Sequence, residues 1–264
     1  MMNAVFGFKR QPFDKDIKTD RMFETYDMKE ANTRLSFILQ HRGILLLSGE
    51  PGAGKTSVLR RFVFSLNPQT HVHHYTPHAT VSQTELYRQL NALFNLQPRN
   101  SKAAMFSQIQ QAITDLYEHQ GKIPVIALDE VHLMENLTIQ ELILLTNFEM
   151  DSKTPFILIL VGQPALKEKL KLRIHEPLTQ RIAFKYHMAG LKPEETKPYV
   201  VHHLKLAGRK DPLFEESAFD VLHQLGQGLP RKIGNLCNAA MMLAMVKGAS
   251  SINADLVLEA SPCQ

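Results

Sequence analysis

The stretch Gly49-Glu50-Pro51-Gly52-Ala53-Gly54-Lys55-Thr56 constrains this chain more than any other, because it matches G-x-x-x-x-G-K-[ST] without a departure. Such a loop works in one context, with a buried strand before it and a helix after it. Ile44 to Leu47 is a short apolar run that reads as a strand covered on both faces, and Ser57 to Leu66 carries apolar positions at helical spacing. The glycines let successive amides curl around an anion, and the helix start turns its positive end toward it. Lys55 supplies an ammonium for the β and γ oxygens of a nucleoside triphosphate, and Thr56 a hydroxyl for Mg²⁺. Gly49 to Ser57 is therefore the expected binding stretch for ATP and Mg²⁺.

The rest of the chain continues the alternation. A helix is expected over Asp27 to Gln40, a strand over His71 to Thr76, and helices over Ser82 to Phe94 and Lys102 to His119. Pro124 to Leu128 reads as a strand, Ile139 to Phe148 as a helix, Phe156 to Val161 as a buried strand, and Ile182 to His187 as the last strand. Strands alternating with helices mean an α/β fold, a three-layer αβα parallel sheet. From Lys192 onward the pattern is helical, with starts at Pro193-Glu194-Glu195 and Phe214-Glu215-Glu216. The expected division is a nucleotide-binding domain over residues 1–190, whose residues 1–40 form a lead-in segment and helix, and a small helical lid over 191–264.

Composition narrows the class. Over 264 residues, 44% are hydrophobic and 21% charged, which excludes extensive disorder. Cys237 and Cys263 suggest neither a disulfide framework nor a metal cage, the start lacks a signal-peptide core, and no apolar run is long enough to span a bilayer. A soluble cytoplasmic protein with no membrane partner is expected. The net charge of +4 and pI near 9.0 suit a polyanionic partner, and suit an ordinary solvated cationic surface equally well.

Asp129 closes an apolar strand, which puts its carboxylate at the edge of the sheet where an enzyme with this loop holds Mg²⁺. Glu130 beside it is the candidate that polarises the attacking water, the bland alternative being an acidic turn after a strand. Gly228-Leu229-Pro230-Arg231 opens a helix in the second domain. Arg231 there is either a γ-phosphate sensor or an exposed arginine at a helix start. His71, His73, His74 and His78 form the densest histidine cluster, with His71 and His73 on one face of the strand, but no partner set appears at fixed spacing, which favours a half-exposed strand over a zinc site.

The order of this loop, the Asp129-Glu130 pair, Gly162-Gln163-Pro164 after a strand, Leu178-Thr179-Gln180-Arg181-Ile182, and Gly228-Leu229-Pro230-Arg231 resembles one family. The chain is similar to the ExeA-type AAA+ ATPases, including the short transposition regulators of the TniB, TnsC and IstB kind. The resemblance runs from the N-terminal FGFKRQPF to the lid. It implies that Gln163 senses the γ-phosphate and helps orient the water, although the usual residue there is a smaller Asn, Thr or Ser, so a simple Gly-Gln-Pro turn stays open. It also implies that Arg181 reaches a neighbouring subunit's nucleotide in trans, with Arg173 as competitor and a surface guanidinium as the plain alternative.

The secretion ATPases of this family carry a membrane segment and a further domain after the ATPase, whereas this sequence ends at Gln264. The resemblance then implies a free-standing helper that assembles with ATP into a ring or helical filament on duplex DNA and recruits or activates a transposase. Contacts would be to phosphates, since no base-reading module is visible. Arg99 and Lys102 in Pro98-Arg99-Asn100-Ser101-Lys102, and Lys122, are the candidates, with a solvated basic loop equally compatible. The alternatives are a secretion-associated ATPase and a nucleotide-switched scaffold that binds no DNA. A small-molecule kinase would need a dedicated acceptor site, and no acceptor-binding motif is visible in the sequence.

Overall fold

A computed structural model describes residues 5–14, 16–77 and 82–261. His78 and Cys263 lie outside the described residues. The chain divides into two compact units, residues 31–49 with 62–187 and residues 1–30 with 50–61 and 188–264.

In chain order the helices are α1 (Tyr26–His41), α2 (Lys55–Ser65), α3 (Gln83–Leu93), α4 (Lys102–Thr114), α5 (Asn136–Leu145), α6 (Ala165–Leu170), α7 (Glu176–Arg181), α8 (Pro193–Leu206), α9 (Glu216–Gly226), α10 (Pro230–Lys247) and α11 (Ala254–Glu259). The strands are β1 (Gly43–Gly49), β2 (His71–Thr76), β3 (Ile123–Leu128), β4 (Ile157–Gly162) and β5 (Ile182–Met188), in the sheet order β2-β3-β4-β1-β5. The β2–β3, β3–β4 and β1–β4 pairs are parallel.

The first unit is built on this sheet. β1, β3 and β4 are inside it and almost wholly buried, which is why they read as unbroken apolar runs. Their alternate residues serve different layers. Ile44, Leu46, Ile126, Leu128, Leu158 and Leu160 share one core with Leu86, Leu90, Ile109, Ile113, Ile139 and Leu142 from α3, α4 and α5. Leu45, Leu47, Val125, Ile159 and Val161 are equally buried and, by the pleat, face the opposite way. Each such side chain contributes about 1.5–3 kcal/mol of burial. The edge strand β2 has no such run and alternates in exposure.

Two helices differ from expectation at their ends. The helix starting at Lys102 passes into a π turn over Asp115–His119, where Gln120 N–H reaches back to Asp115 O at 3.2 Å, and Gly121 at positive φ ends it. α5 starts earlier than the expected Ile139 and stops at Leu145. Phe148 instead bridges to Lys153, around a turn in which Glu149, Met150 and Asp151 are all left-handed.

The second unit is helical. Phe6 and Phe8 of the N-terminal segment join Val200 and Leu204 of α8, Leu222 of α9, and Ile233, Cys237 and Met241 of α10 in its core. The segment is also tied by its backbone, with Lys9 N–H donating to Ala207 O at 2.7 Å and Arg209 donating to Phe6 O at 2.9 Å.

Candidate functional site

The glycine loop leaves β1 at Gly49, and its backbone needs glycine at two places: Gly52 has φ 88° and Gly54 φ 101°. Ala53 N–H donates to Glu50 O at 3.1 Å, and the Lys55 ammonium donates to the same carbonyl at 3.0 Å, folding the lysine back over its own loop. Pro51 is exposed, Lys55 is buried, Thr56 is exposed and Ser57 half-buried. α2 begins at Lys55, so its first turn presents backbone donors at the loop. Arg231, in the first turn of α10, sits on this loop, its backbone N–H 3.4 Å from Gly52 O.

The carboxylates follow β3, in the sheet-bearing unit. β1 and β3 flank β4 and run parallel to it, so Gly49 and Asp129 come off the same edge of the sheet. Asp129 is buried and fully engaged. Its Oδ2 accepts the Tyr75 hydroxyl at 3.0 Å, its Oδ1 accepts the Glu130 N–H at 2.8 Å, and its own N–H donates to Thr76 O at 3.0 Å. Burial, and then Asp129 beside it, push the Tyr75 phenol well above its ordinary pKa, so it remains a donor.

Glu130 is half-buried with a left-handed backbone, φ 58° and ψ 30°. Its Oε2 lies 3.6 Å from His132 Nε2, while His132 Nδ1 is 3.4 Å from the N–H of Gln163. Gln163 follows β4 directly and is half-buried. Lys169 fixes the intervening backbone by donating to His132 O at 2.8 Å and Met134 O at 2.6 Å.

The remaining candidates are scattered. Arg181 ends α7 and is held within its own unit, by Asp151 at 2.8 Å, the Thr146 hydroxyl at 2.9 Å and Ile143 O at 3.3 Å. Arg173 is exposed on a 3-10 turn. Arg99 has an exposed side chain, and Lys122 is half-buried. Lys102 lies 2.7 Å from Glu141 and 3.2 Å from Gln83. In the histidine cluster, His74 stacks on Phe94 with centroids 4.1 Å apart, and burial lowers the pKa of His71 and His74. Tyr75 and His132 were not visible as site residues from sequence. Tyr75 depends on strand register, whereas His132, two residues after Glu130, carried a local signal.

The sheet order, the glycine loop and its helix define a P-loop ATPase of the AAA+ type. Residues 38–170 match the family described as AAA domain, and the chain belongs to it. The chain is also 30% identical over 261 residues to General secretion pathway protein A of Aeromonas hydrophila, covering 96% of itself and 46% of that protein. It thus spans about half the length of this curated relative. Among solved structures it is similar to the ORC2 protein of Aeropyrum pernix in its ADP form, with TM-score 0.67, 16% identity, and 98% and 71% of the two chains covered. It is also similar to the RuvB Holliday junction branch migration motor of Thermotoga maritima, with TM-score 0.58, 20% identity, and 88% and 67% covered. At these identities the two structures speak for the fold. No helix among the described residues is long and apolar enough to cross a membrane.

Proposed function

We propose that this chain is the ATP-operated switch of an ExeA-type assembly, binding and hydrolysing ATP to change its grip on a protein partner. The observation that carries this reading is the 30% identity to General secretion pathway protein A, sustained over 96% of the chain.

In this reading the amides of Gly49 to Ser57 and the Lys55 ammonium hold the ATP phosphates. The donors suit the ligand: two left-handed glycines shape the loop, and a helix of 11 residues starts at its end. Thr56 and Asp129 supply hard oxygens of the kind Mg²⁺ prefers, and the ion would neutralise charge on the phosphates. Glu130 takes the proton from the water that attacks the γ-phosphorus, and Gln163 helps orient that water. Arg231 reports the γ-phosphate to the helical lid. Arg181 acts in trans once neighbouring subunits assemble, after exchanging its contacts to Asp151 and Thr146; Arg173 is the exposed competitor.

A second reading keeps the same chemistry and places it on duplex DNA, as a transposition helper forming a ring or filament and recruiting a transposase. The basic balance of the chain, with pI near 9.0, and the exposed Arg99 favour it.

The test is ATPase rate and sedimentation with ATP, ADP or no nucleotide, each with and without duplex DNA, using Lys55→Ala and Glu130→Gln. The switch reading expects turnover that Lys55→Ala and Glu130→Gln abolish, and no response to DNA. ATP-dependent assembly on DNA, trapped by Glu130→Gln, moves the assignment to the second reading. Loss of assembly in Arg181→Ala but not Arg173→Ala selects the trans arginine.

A further inference from the structure

Among the described residues, one buried histidine beside the proposed base has two site contacts that the reading above leaves unused. His132 has a side chain only 8% exposed, and its ring lies between the ends of two adjacent strands. Nδ1 lies 3.4 Å from the Gln163 N–H that follows β4, and Nε2 lies 3.6 Å from the Glu130 carboxylate that follows β3. A backbone N–H can only donate, so a bond with Gln163 requires an unprotonated Nδ1 and leaves the ring proton on Nε2, facing Glu130. A neutral imidazole therefore serves both contacts.

The surroundings leave this ring little choice of position. The Lys169 ammonium holds the carbonyls of His132 and Met134. A β-carbon on Gly162 would stand 3.3 Å from His132 N, so the end of β4 passes against the same backbone. Glu130 has a left-handed backbone that aims its side chain, and its carboxylate is more exposed than the ring, at 39%. Glu130 faces the ring, and the charged Lys169 bonds the His132 carbonyl.

We infer that His132 is a positioning residue for ATP hydrolysis, joining the backbone of Gln163 to the carboxylate of Glu130 so that a shift at the end of β4 re-aims the base. At 3.6 Å the Glu130 contact is longer than a hydrogen bond, and a movement of about 0.5 Å closes it. Any ligand that draws the Gln163 backbone thereby changes the hold on the carboxylate. The inference rests on Glu130 being the base.

The full chain carrying His132→Ala, His132→Asn or His132→Gln separates positioning from packing. Asparagine and glutamine carry the same acceptor and donor pair, but only the extra methylene of glutamine brings it out to the Nε2 side of the ring, so asparagine is too short to reach Glu130. ATPase kcat should fall about ten- to hundredfold in the alanine and asparagine variants and recover largely in His132→Gln. Affinity for a fluorescent ATP analogue should stay within about twofold in all three, since the loop that binds phosphate is untouched. Wild-type kcat in His132→Ala, or glutamine no better than asparagine at equal melting temperature, overturns the inference. So does a parallel loss of nucleotide affinity and kcat in all three variants. Glu130→Gln is run alongside. If it turns over normally, the assignment of the base falls and the inference with it; if it is dead while His132→Ala is normal, the positioning role alone is lost.

Discussion

Gly52 has no room for a side chain because Arg231 occupies the space: a β-carbon built on Gly52 would lie 2.7 Å from the Arg231 Cβ. The phosphate loop and the first turn of α10 are thus in contact through backbone on one side and the base of a side chain on the other. Gly52→Ala meets this contact and a φ of 88° at once, so it should distort the loop. Nucleotide affinity should drop at least about tenfold, read by titration with a fluorescent analogue. Arg231→Ala keeps the β-carbon and should not rescue the variant.

Tyr75 offers a subtler change. Its hydroxyl donates to the Asp129 carboxylate, as the Glu130 N–H also does. Tyr75→Phe keeps the ring and removes one bond, a loss of about 0.5–1.5 kcal/mol. ATPase rate at limiting Mg²⁺ should fall roughly three- to tenfold. Raising Mg²⁺ should recover much of it if the hydroxyl orients a metal-binding carboxylate.

Lys102 is poorly suited to a simple DNA-binding test. Its partner Glu141 has a side chain only 8% exposed and is otherwise held by the Tyr87 hydroxyl at 2.9 Å. Lys102→Ala leaves that carboxylate short of a cation and should destabilise the chain by about 1–2 kcal/mol, discounted for the lysine's own exposure. Urea unfolding measures it. Arg99→Ala has no such side effect, because only the Arg99 backbone N–H is engaged, with Gln108 at 3.2 Å. DNA affinity should therefore be compared in Arg99→Ala.

His203 makes stability depend on pH. It stacks on Phe13 with centroids 5.0 Å apart, and burial, with help from His202 and Arg10, lowers its pKa from 6.5 to about 4. Between those values the unfolded chain binds a proton that the folded chain refuses, so stability falls as pH drops from 6.5 to about 4 and then levels. The full effect is about 3 kcal/mol. His203→Phe keeps a ring against Phe13 and should flatten that part of a urea-unfolding pH series.

What sequence showed depended on distance along the chain. β1, β3 and β4 were legible because burial on both faces makes them uniformly apolar, and the loop from Gly49 to Thr56 because its chemistry is contiguous. Expectation carried α5 to Phe148 because Leu144 and Leu145 continue an apolar pattern, while the left-handed turn at Glu149 to Asp151 has no glycine to announce it. Tyr75 was invisible for another reason. Its bond to Asp129 exists only because β2 pairs with β3 in the register Tyr75 to Ala127, and no local signal encodes that register. The docking of Phe6 and Phe8 among helices far along the chain was hidden in the same way.

With Glu130 as the proposed base, its left-handed backbone sets stability against turnover at a single codon. Glycine adopts such a conformation without the roughly 1 kcal/mol that an ordinary side chain incurs there. A library screened only for heat resistance would therefore enrich Glu130→Gly and discard the proposed base. Enrichment of the original glutamate would require a screen that reads ATP consumption alongside survival. For this chain, thermostability by itself is the wrong criterion for choosing improved variants.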